Sequence, residues 1–357
     1  MKTMFDLLIN YPRLGNEGKI FADYIRALSP AAMEELMQPR PATGRHQDRI
    51  VGATFLAGRG LHLPASNVFV LSGGHDAITQ ILAMTGLRGG KMAVDAISYP
   101  NFLAIARDHA IKLLPCASDE AGMRPDSLEA AIAAGARAVY LMPTVHNPLG
   151  TVIPAARRAQ LAAIAEKSRI WILEDAAYAF LEPSPPPPVA SWAPERSFYI
   201  HSFSKPFAPE LKAAIVSFPT QFAANVEQSA ILNSSGTSLL FAAFATHLLQ
   251  SGALTQHIAA KRSEAIIRQQ LARDILSNCR IQSHPSSFHL WIEPERLSAP
   301  QLCKAALARK VGLSRGSSFA ATAKLAPNAF RLALGGETDR ARLEQGLQIV
   351  GTLLRHS

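Results

Sequence analysis

From residue 67 to residue 202, short apolar runs alternate with stretches in which apolar positions recur every three or four residues. "NVFVLS" (67–72) leads into "GGHDAITQILAMTG", "KMAVDAIS" (91–98) into "NFLAIARDHA", and "IKLLPCA" (111–117) into "SLEAAIAAG". "AVYLMPT" (138–144) precedes "AARRAQLAAIAEKS", and "RIWILED" (169–175) and "SFYIHS" (197–202) continue the series. Short β-rich runs read as strands, and the helical period between them reads as covering helices. "WIL" and "VYLM" show no polar alternation, as expected of parallel strands buried on both faces. The pattern predicts an α/β large domain with a mostly parallel sheet over residues 46–245.

After about residue 240 the pattern changes. "TQHIAAKRSEAIIRQQLARDILSN" (255–278) predicts one long helix, followed by "FHLWIE" (288–293), "QLCKAALARK" (301–310) and "FRLALGG" (330–336). Helices beside a few strands predict a smaller α+β domain over residues 246–357. Residues 1–45 are poor in strand signals and are expected to form an N-terminal arm or part of that small domain. "PSPPPP" (183–188) reads as a polyproline loop too short to link domains.

Composition narrows the function classes. Hydrophobic residues make up 48% of the 357 and charged residues 18%, which supports a large core and excludes a disordered chain. The net charge of +9 favours anionic ligands or nucleic acid without bearing on fold. Cys116, Cys279 and Cys303 are scattered and form no CxxC pair, so a disulfide framework or zinc site is not expected and a reducing compartment fits. The apolar run near the N-terminus is too short for a secretory signal, and no stretch has the ~18 apolar residues of a membrane helix. A cytoplasmic protein without a membrane partner is expected. "AARRAQ" (155–160) lacks interleaved aromatics and reads as a solvated helix face, so no nucleic-acid partner is expected. His146 and His201 have no companion cluster that would make a metal site.

Four features fall at strand ends, where α/β sheets build ligand sites. "SGGHDA" (72–77) is a tight turn by composition, but Gly73 and Gly74 also allow close backbone approach, and the helix that follows offers free N–H groups to a phosphate. "PTVHNPLG" (143–150) is by itself an ordinary turn. "ILEDAAY" (172–178) puts Asp175 at the mouth of a buried strand, either as a helix cap or as the partner of a cation. "HSFSKPFAPELKAA" (201–214) puts Lys205 in a Ser-rich turn, either as a solvated loop lysine or as an amine that loses its proton and attacks an aldehyde.

Together the four are far more specific. Asn147, Asp175 and Lys205 follow one another at spacings of one αβ unit each. With Gly73-Gly74-His75, Ser98-Tyr99-Pro100, Asn147-Pro148-Leu149-Gly150, Asp175-Ala176-Ala177-Tyr178 and Ser202-Phe203-Ser204-Lys205, the chain resembles the pyridoxal-phosphate-dependent aminotransferases of fold type I, class I/II. The resemblance spans roughly residues 45–336 and is strongest to the subgroup that includes 2-aminoadipate-type aminotransferases and the aminotransferase-like half of certain bacterial regulators. No winged-helix segment is read ahead of it.

The resemblance implies a seven-stranded, mostly parallel sheet, pyridoxal 5'-phosphate as cofactor and a homodimer. It implies that Lys205 carries the Schiff base and acts as general acid/base, that Asp175 pairs with the pyridinium nitrogen, and that Asn147 and Tyr178 bond the phenolic oxygen. Tyr99 would stack on the ring, and Gly74, His75, Ser202 and Ser204 would hold the phosphate. Arg331, in "NAFRLALGG", would clamp the substrate carboxylate as a bidentate fork. Lys212 and Ala214 stand where the family has the Arg and Gly of "LRxG". The expected reaction moves an amino group between an amino acid and a 2-oxo acid. The alternatives are another pyridoxal-phosphate reaction on an amino acid (elimination, decarboxylation, racemisation or oxidation) or a non-catalytic sensor on the same scaffold.

Overall fold

The computed structural model describes residues 4–38, 41–277, 279–295 and 297–356. Seven strands form the principal sheet: β1 (Val68–Leu71), β2 (Lys91–Asp95), β3 (Lys112–Cys116), β4 (Ala138–Leu141), β5 (Trp171–Asp175), β6 (Ser197–Ser202) and β7 (Ala214–Ser217). Their order is β1-β7-β6-β5-β4-β2-β3. All neighbours are parallel except β7, which runs antiparallel to both β1 and β6. The seven-stranded, mostly parallel α/β sheet is the architecture expected from the sequence. β7 was not foreseen, because four residues directly after the lysine turn carry no period of their own.

The uniformly apolar strands still obey the two-residue period of a pleated sheet. Tyr140 and Leu173 join one core with Ile78, Ile81 and Leu82 of helix Gly74–Met84. Val139, Leu141 and Ile172 join a separate core on the opposite face, with Leu161, Ala162 and Ala165 of helix Ala155–Lys167. Burial on both faces removes the need for polar alternation, which is why these strands read as continuous apolar runs.

Four shorter strands form a second sheet: β8 (Arg280–Gln282), β9 (His289–Glu293), β10 (Ser314–Arg315) and β11 (Phe330–Ala333), in the antiparallel order β8-β9-β11-β10. The long helix spans Ala253–Ile275 and begins two residues earlier than the sequence suggests, after Gly252 at φ +74. Residue 278, the end of the predicted stretch, lies outside the described residues. The chain's first segment returns to these C-terminal elements. Phe5–Asp6 pairs in parallel with Val311–Gly312, and the Asp6 N–H donates to the Glu337 carboxylate at 2.8 Å. Residues 8–11 are thereby carried across the C-terminal edge of the principal sheet. Among the described residues no helix is long and apolar enough to cross a membrane.

Candidate active site

Strand direction gathers the site. β1, β4, β5 and β6 all end on one edge, at Leu71, Leu141, Asp175 and Ser202. β7 starts on that edge, with Ala214 paired to both Ser202 and Leu71. The turn between β6 and β7 therefore brings Lys205 and Lys212 back beside Asp175 and the Gly73–His75 turn.

Asp175 is buried, and burial pushes its carboxyl above the usual range. Two donors oppose this by stabilising the ionised form. The Tyr140 hydroxyl donates to Oδ2 at 2.7 Å, and the Ala177 N–H donates to Oδ1 at 2.9 Å. Tyr140 is fixed by face-to-face stacking on Phe102, with centroids 3.6 Å apart. The Asp175–Ala177 bond is a local side-chain turn, so Asp175 both ends the strand and offers a carboxylate to the cavity.

Among the described residues Lys205 has no carboxylate partner. Its Nζ donates to the backbone carbonyl of Asn10 at 3.0 Å and lies 3.4 Å from the Tyr11 ring centroid. Burial, with a smaller contribution from the Arg331 charge, lowers its pKa to about 7. Near neutral pH much of this amine is unprotonated, the form that attacks an aldehyde or takes a proton. A second buried lysine, Lys261 on the long helix, donates to the carbonyls of Lys205 and Phe207 at 3.0 and 2.5 Å and so fixes the Lys205 turn.

Two cavities meet at Lys205. The first, of about 350 Å³, is lined by Ser202, Ser204 and Lys212 together with the Gly73–His75 turn and, deeper, Asp175 and Tyr178. At Gly73 φ is +106, a conformation that an L side chain resists, and the helix Gly74–Met84 starts at the next residue. Its free N–H groups, the two hydroxyls and the Lys212 ammonium form an anion-binding end. Asp76 also lines this cavity, but its carboxylate is held by the Ser72 N–H and the Gln80 amide. The second cavity, of about 400 Å³, is lined by Asn10, Tyr11, Asn147 and Arg331. Tyr11, Tyr99, Tyr178 and Lys205 line both.

Arg331 is buried. One guanidinium nitrogen donates to Asn147 Oδ1 at 3.1 Å, and the other donates to the Leu8 carbonyl at 2.7 Å and to Ser314 Oγ at 3.2 Å. Its Nε–H is buried and has no partner among the described residues. Asn147 thus faces the Arg331 cavity, while Gly74, His75, Tyr99, Asp175, Tyr178, Ser202, Ser204, Lys205 and Lys212 line the other. His75 Nε2 accepts from Asn101 Nδ2 at 3.1 Å, and burial lowers the imidazole pKa, so the ring is neutral. Lys212 Nζ also donates to the Pro209 carbonyl at 2.8 Å.

Several site residues carry no sequence signal. Asn10 and Tyr11 come from a segment without motif. Tyr140 sits inside a strand that reads as core, and His289 begins a strand of the second sheet. Lys261 falls on a long helix whose sequence gives no hint of a buried amine. The "DxxY" spacing led only to Tyr178, whose hydroxyl accepts from Asn10 Nδ2 at 3.0 Å.

A planar ring with a phosphate, a basic nitrogen and an aldehyde fits the first cavity. Its anionic end matches the phosphate, the buried carboxylate suits a protonated ring nitrogen, and the low-pKa lysine lies between them. The family model for aminotransferase class I and II matches residues 14–350. The chain is 27% identical to an uncharacterized HTH-type transcriptional regulator, YdeF, of Bacillus subtilis over 297 residues, which is 83% of this chain and 64% of the regulator. It is 34% identical to the vitamin B6 salvage pathway transcriptional repressor PtsJ of Salmonella typhimurium over 153 residues, 43% of this chain and 36% of the repressor. The chain thus spans less than two thirds of the length of these regulators. Among solved structures it superposes on a kynurenine aminotransferase of Pyrococcus horikoshii with a TM-score of 0.89 and 19% identity, over 99% of this chain and 91% of that one. For LysN, the α-aminoadipate aminotransferase of Thermus thermophilus, the TM-score is 0.85 and the identity 21%, over 99% and 92%. The chain belongs to the class I and II aminotransferase family, whose cofactor is pyridoxal phosphate.

Proposed function

We propose that the protein moves an amino group between an amino acid and a 2-oxo acid. The observation that carries this reading is a buried lysine with a pKa near 7 standing where two cavities meet, one suited to the cofactor and one holding Arg331. Bound pyridoxal phosphate supplies an aldehyde that takes up and returns the amino group, and a protonated ring that withdraws electrons. The chain's own residues do the rest. Ser202, Ser204, Lys212 and the Gly74–His75 turn would hold the phosphate, Tyr99 would pack on the ring, and Tyr178 would bond the phenolic oxygen. Asn147 would reach that oxygen from the Arg331 cavity through its amide N–H, since its Oδ1 is taken by Arg331. Asp175, whose ionised form the Tyr140 and Ala177 donors favour against burial, would keep the ring nitrogen protonated. Arg331 receives the substrate carboxylate when it displaces the Leu8 carbonyl, gaining a charge-assisted pair in place of a neutral acceptor. Lys205 Nζ would take the proton from the substrate α-carbon and deliver it to the carbon that was the cofactor's aldehyde, which completes a 1,3-shift. Residues 8–11 border the Arg331 cavity, and Tyr11 reaches the cofactor cavity as well. A cytoplasmic homodimer, with residues 46–245 and 246–357 as its two domains and residues 1–45 joining the smaller, completes this reading.

Two measurements test it. Borohydride reduction followed by mass spectrometry should place a pyridoxyl group on Lys205, and an adduct on another lysine would sink the assignment. An amino donor given without acceptor should release one equivalent of 2-oxo acid per site and then stop. Continuous product formation without acceptor would mean elimination, decarboxylation or oxidation instead. A second reading, a sensor of cofactor or amino acid without turnover, is favoured by the regulator relatives. It predicts cofactor binding with no 2-oxo acid released.

A further inference from the structure

Asn10 joins three segments of the site in one directional chain of hydrogen bonds. His289 Nε2 lies 3.2 Å from the carbonyl of His146, the residue before Asn147. A carbonyl only accepts, so Nε2 carries the proton and Nδ1 is a bare acceptor. Burial, with a smaller contribution from Arg331, lowers the His289 pKa to about 3, so the ring stays neutral. Asn10 Nδ2 lies 3.2 Å from that Nδ1 and 3.0 Å from the Tyr178 hydroxyl oxygen. Its two hydrogens go one to each. The opposite amide orientation would set Oδ1 against the Nδ1 lone pair, so His289 fixes which way Asn10 faces. The Tyr178 oxygen already receives a donor, and among the described residues its own proton finds only the Asn10 carbonyl at a long 3.4 Å. That carbonyl already accepts from Lys205 at 3.0 Å. The Tyr178 proton is thus free for a better acceptor in the cavity that Tyr178 lines.

We propose that Asn10 is a positioning residue: held by His289, it orients Tyr178 so that the hydroxyl donates into the cofactor cavity. The proposal rests on the pyridoxal-phosphate reading above. A donor to the cofactor's phenolic oxygen stabilises its anionic form and lowers the proton affinity of the bound chromophore. Loss of that donor raises it.

The test is a pH titration of the visible spectrum of the holoprotein. Asn10→Ala should move the midpoint between the yellow and colourless forms upward by about 0.5–1 pH unit, the size of one lost hydrogen bond. Asn10→Asp, which keeps the shape but replaces the donor with an acceptor, should move it in the same direction. In a Tyr178→Phe background, Asn10→Ala should add nothing, because the effect passes through the hydroxyl. A midpoint unchanged in both Asn10 variants, or an equal shift with and without the Tyr178 hydroxyl, overturns the proposal. In cofactor-free protein, nitrogen NMR should find His289 protonated at Nε2, and protonation at Nδ1 would break the chain at its origin. A wild type that binds no chromophore would overturn the pyridoxal-phosphate reading as well. A wild type that titrates normally alongside unshifted variants would overturn this proposal alone.

Discussion

Tyr140 illustrates how a residue with no sequence signal comes to control the chemistry of one that has it. Asp175 is fully enclosed, and a carboxylate in that position drifts toward its neutral form unless donors hold the charge. The Tyr140 hydroxyl is the side-chain donor that does so, at 2.7 Å. Tyr140→Phe keeps the stack on Phe102 and removes only this bond. Asp175 then keeps the Ala177 N–H alone, its carboxyl pKa rises further, and its grip on a protonated ring nitrogen weakens. A charge-assisted bond is worth about 1.5–3 kcal/mol, so cofactor retention should fall at least roughly tenfold. The loss of retention on acidification should also begin at a higher pH than in wild type, because the carboxylate contributes only while ionised and is lost as pH falls through a raised pKa. Spectral titration of cofactor dissociation across pH measures both effects. Equal affinity in the two proteins would show that Asp175 needs no help from Tyr140.

At the scale of elements, the turn Asn147–Gly150 ties the principal sheet to the second one. It carries Asn147 to Arg331 on β11, and the Gly150 N–H closes it by donating to the His146 carbonyl at 2.6 Å. Gly150 has φ +74, and a Cβ there would collide with the backbone nitrogen of His284. Neither backbone can yield, so Gly150→Ala should destabilise the protein by about 2–4 kcal/mol. Gly58→Ala, where the nearest atom is 3.5 Å away and φ is ordinary, should leave the denaturation midpoint nearly unchanged. Equal midpoints for the two variants would mean that the turn and the 283–284 segment are not packed together. What could be read in the sequence follows the same division. Asp175 and Lys205 were legible because one ends and the other closely follows a strand that announces itself by composition, and the fixed edge of a parallel sheet brings such residues together. Asn10, 195 positions from the lysine it touches, was not legible, because its place depends on Phe5–Asp6 pairing with Val311–Gly312. Strand β7 was too short to show a period, and Tyr140 was hidden among apolar neighbours. Lys261 gave no signal, because a helix repeat gives no hint of a partner outside the helix.

For the whole molecule, two buried lysines make stability depend on pH. Burial lowers both Lys205 and Lys261 from the ordinary 10.5 to about 7. Between these values the unfolded chain binds protons that the folded chain does not, so folding is favoured as pH rises through the interval. Below about 7 both states are protonated, and the full cost of two enclosed charges is present. Asp95 and Glu174, raised by burial to about 6 and about 7, act in the opposite sense at lower pH, where the folded protein holds the extra protons. Their influence ends near neutrality. The Cys116, Cys279 and Cys303 thiols, all raised by burial, oppose the lysines once the unfolded chain's thiols begin to ionise, so the lysines dominate from about pH 7.5 to 8.5. Each lysine contributes a slope of up to about 1.4 kcal/mol per pH unit. Cofactor-free protein should therefore become more stable to denaturant as pH rises through that window, whereas many proteins lose stability above neutrality. Lys261→Met should lower stability overall, because the Lys205 and Phe207 carbonyls lose their donor, and should also flatten the slope by at least about half. The slope separates the two effects, since a lost hydrogen bond alone displaces the curve without changing its steepness. Urea denaturation of both proteins at several pH values between 7.5 and 8.5 supplies the comparison. A flat wild-type profile would place both ammonium groups in contact with water, and the Lys205 amine would then be mostly protonated at neutral pH and unable to act as nucleophile or base.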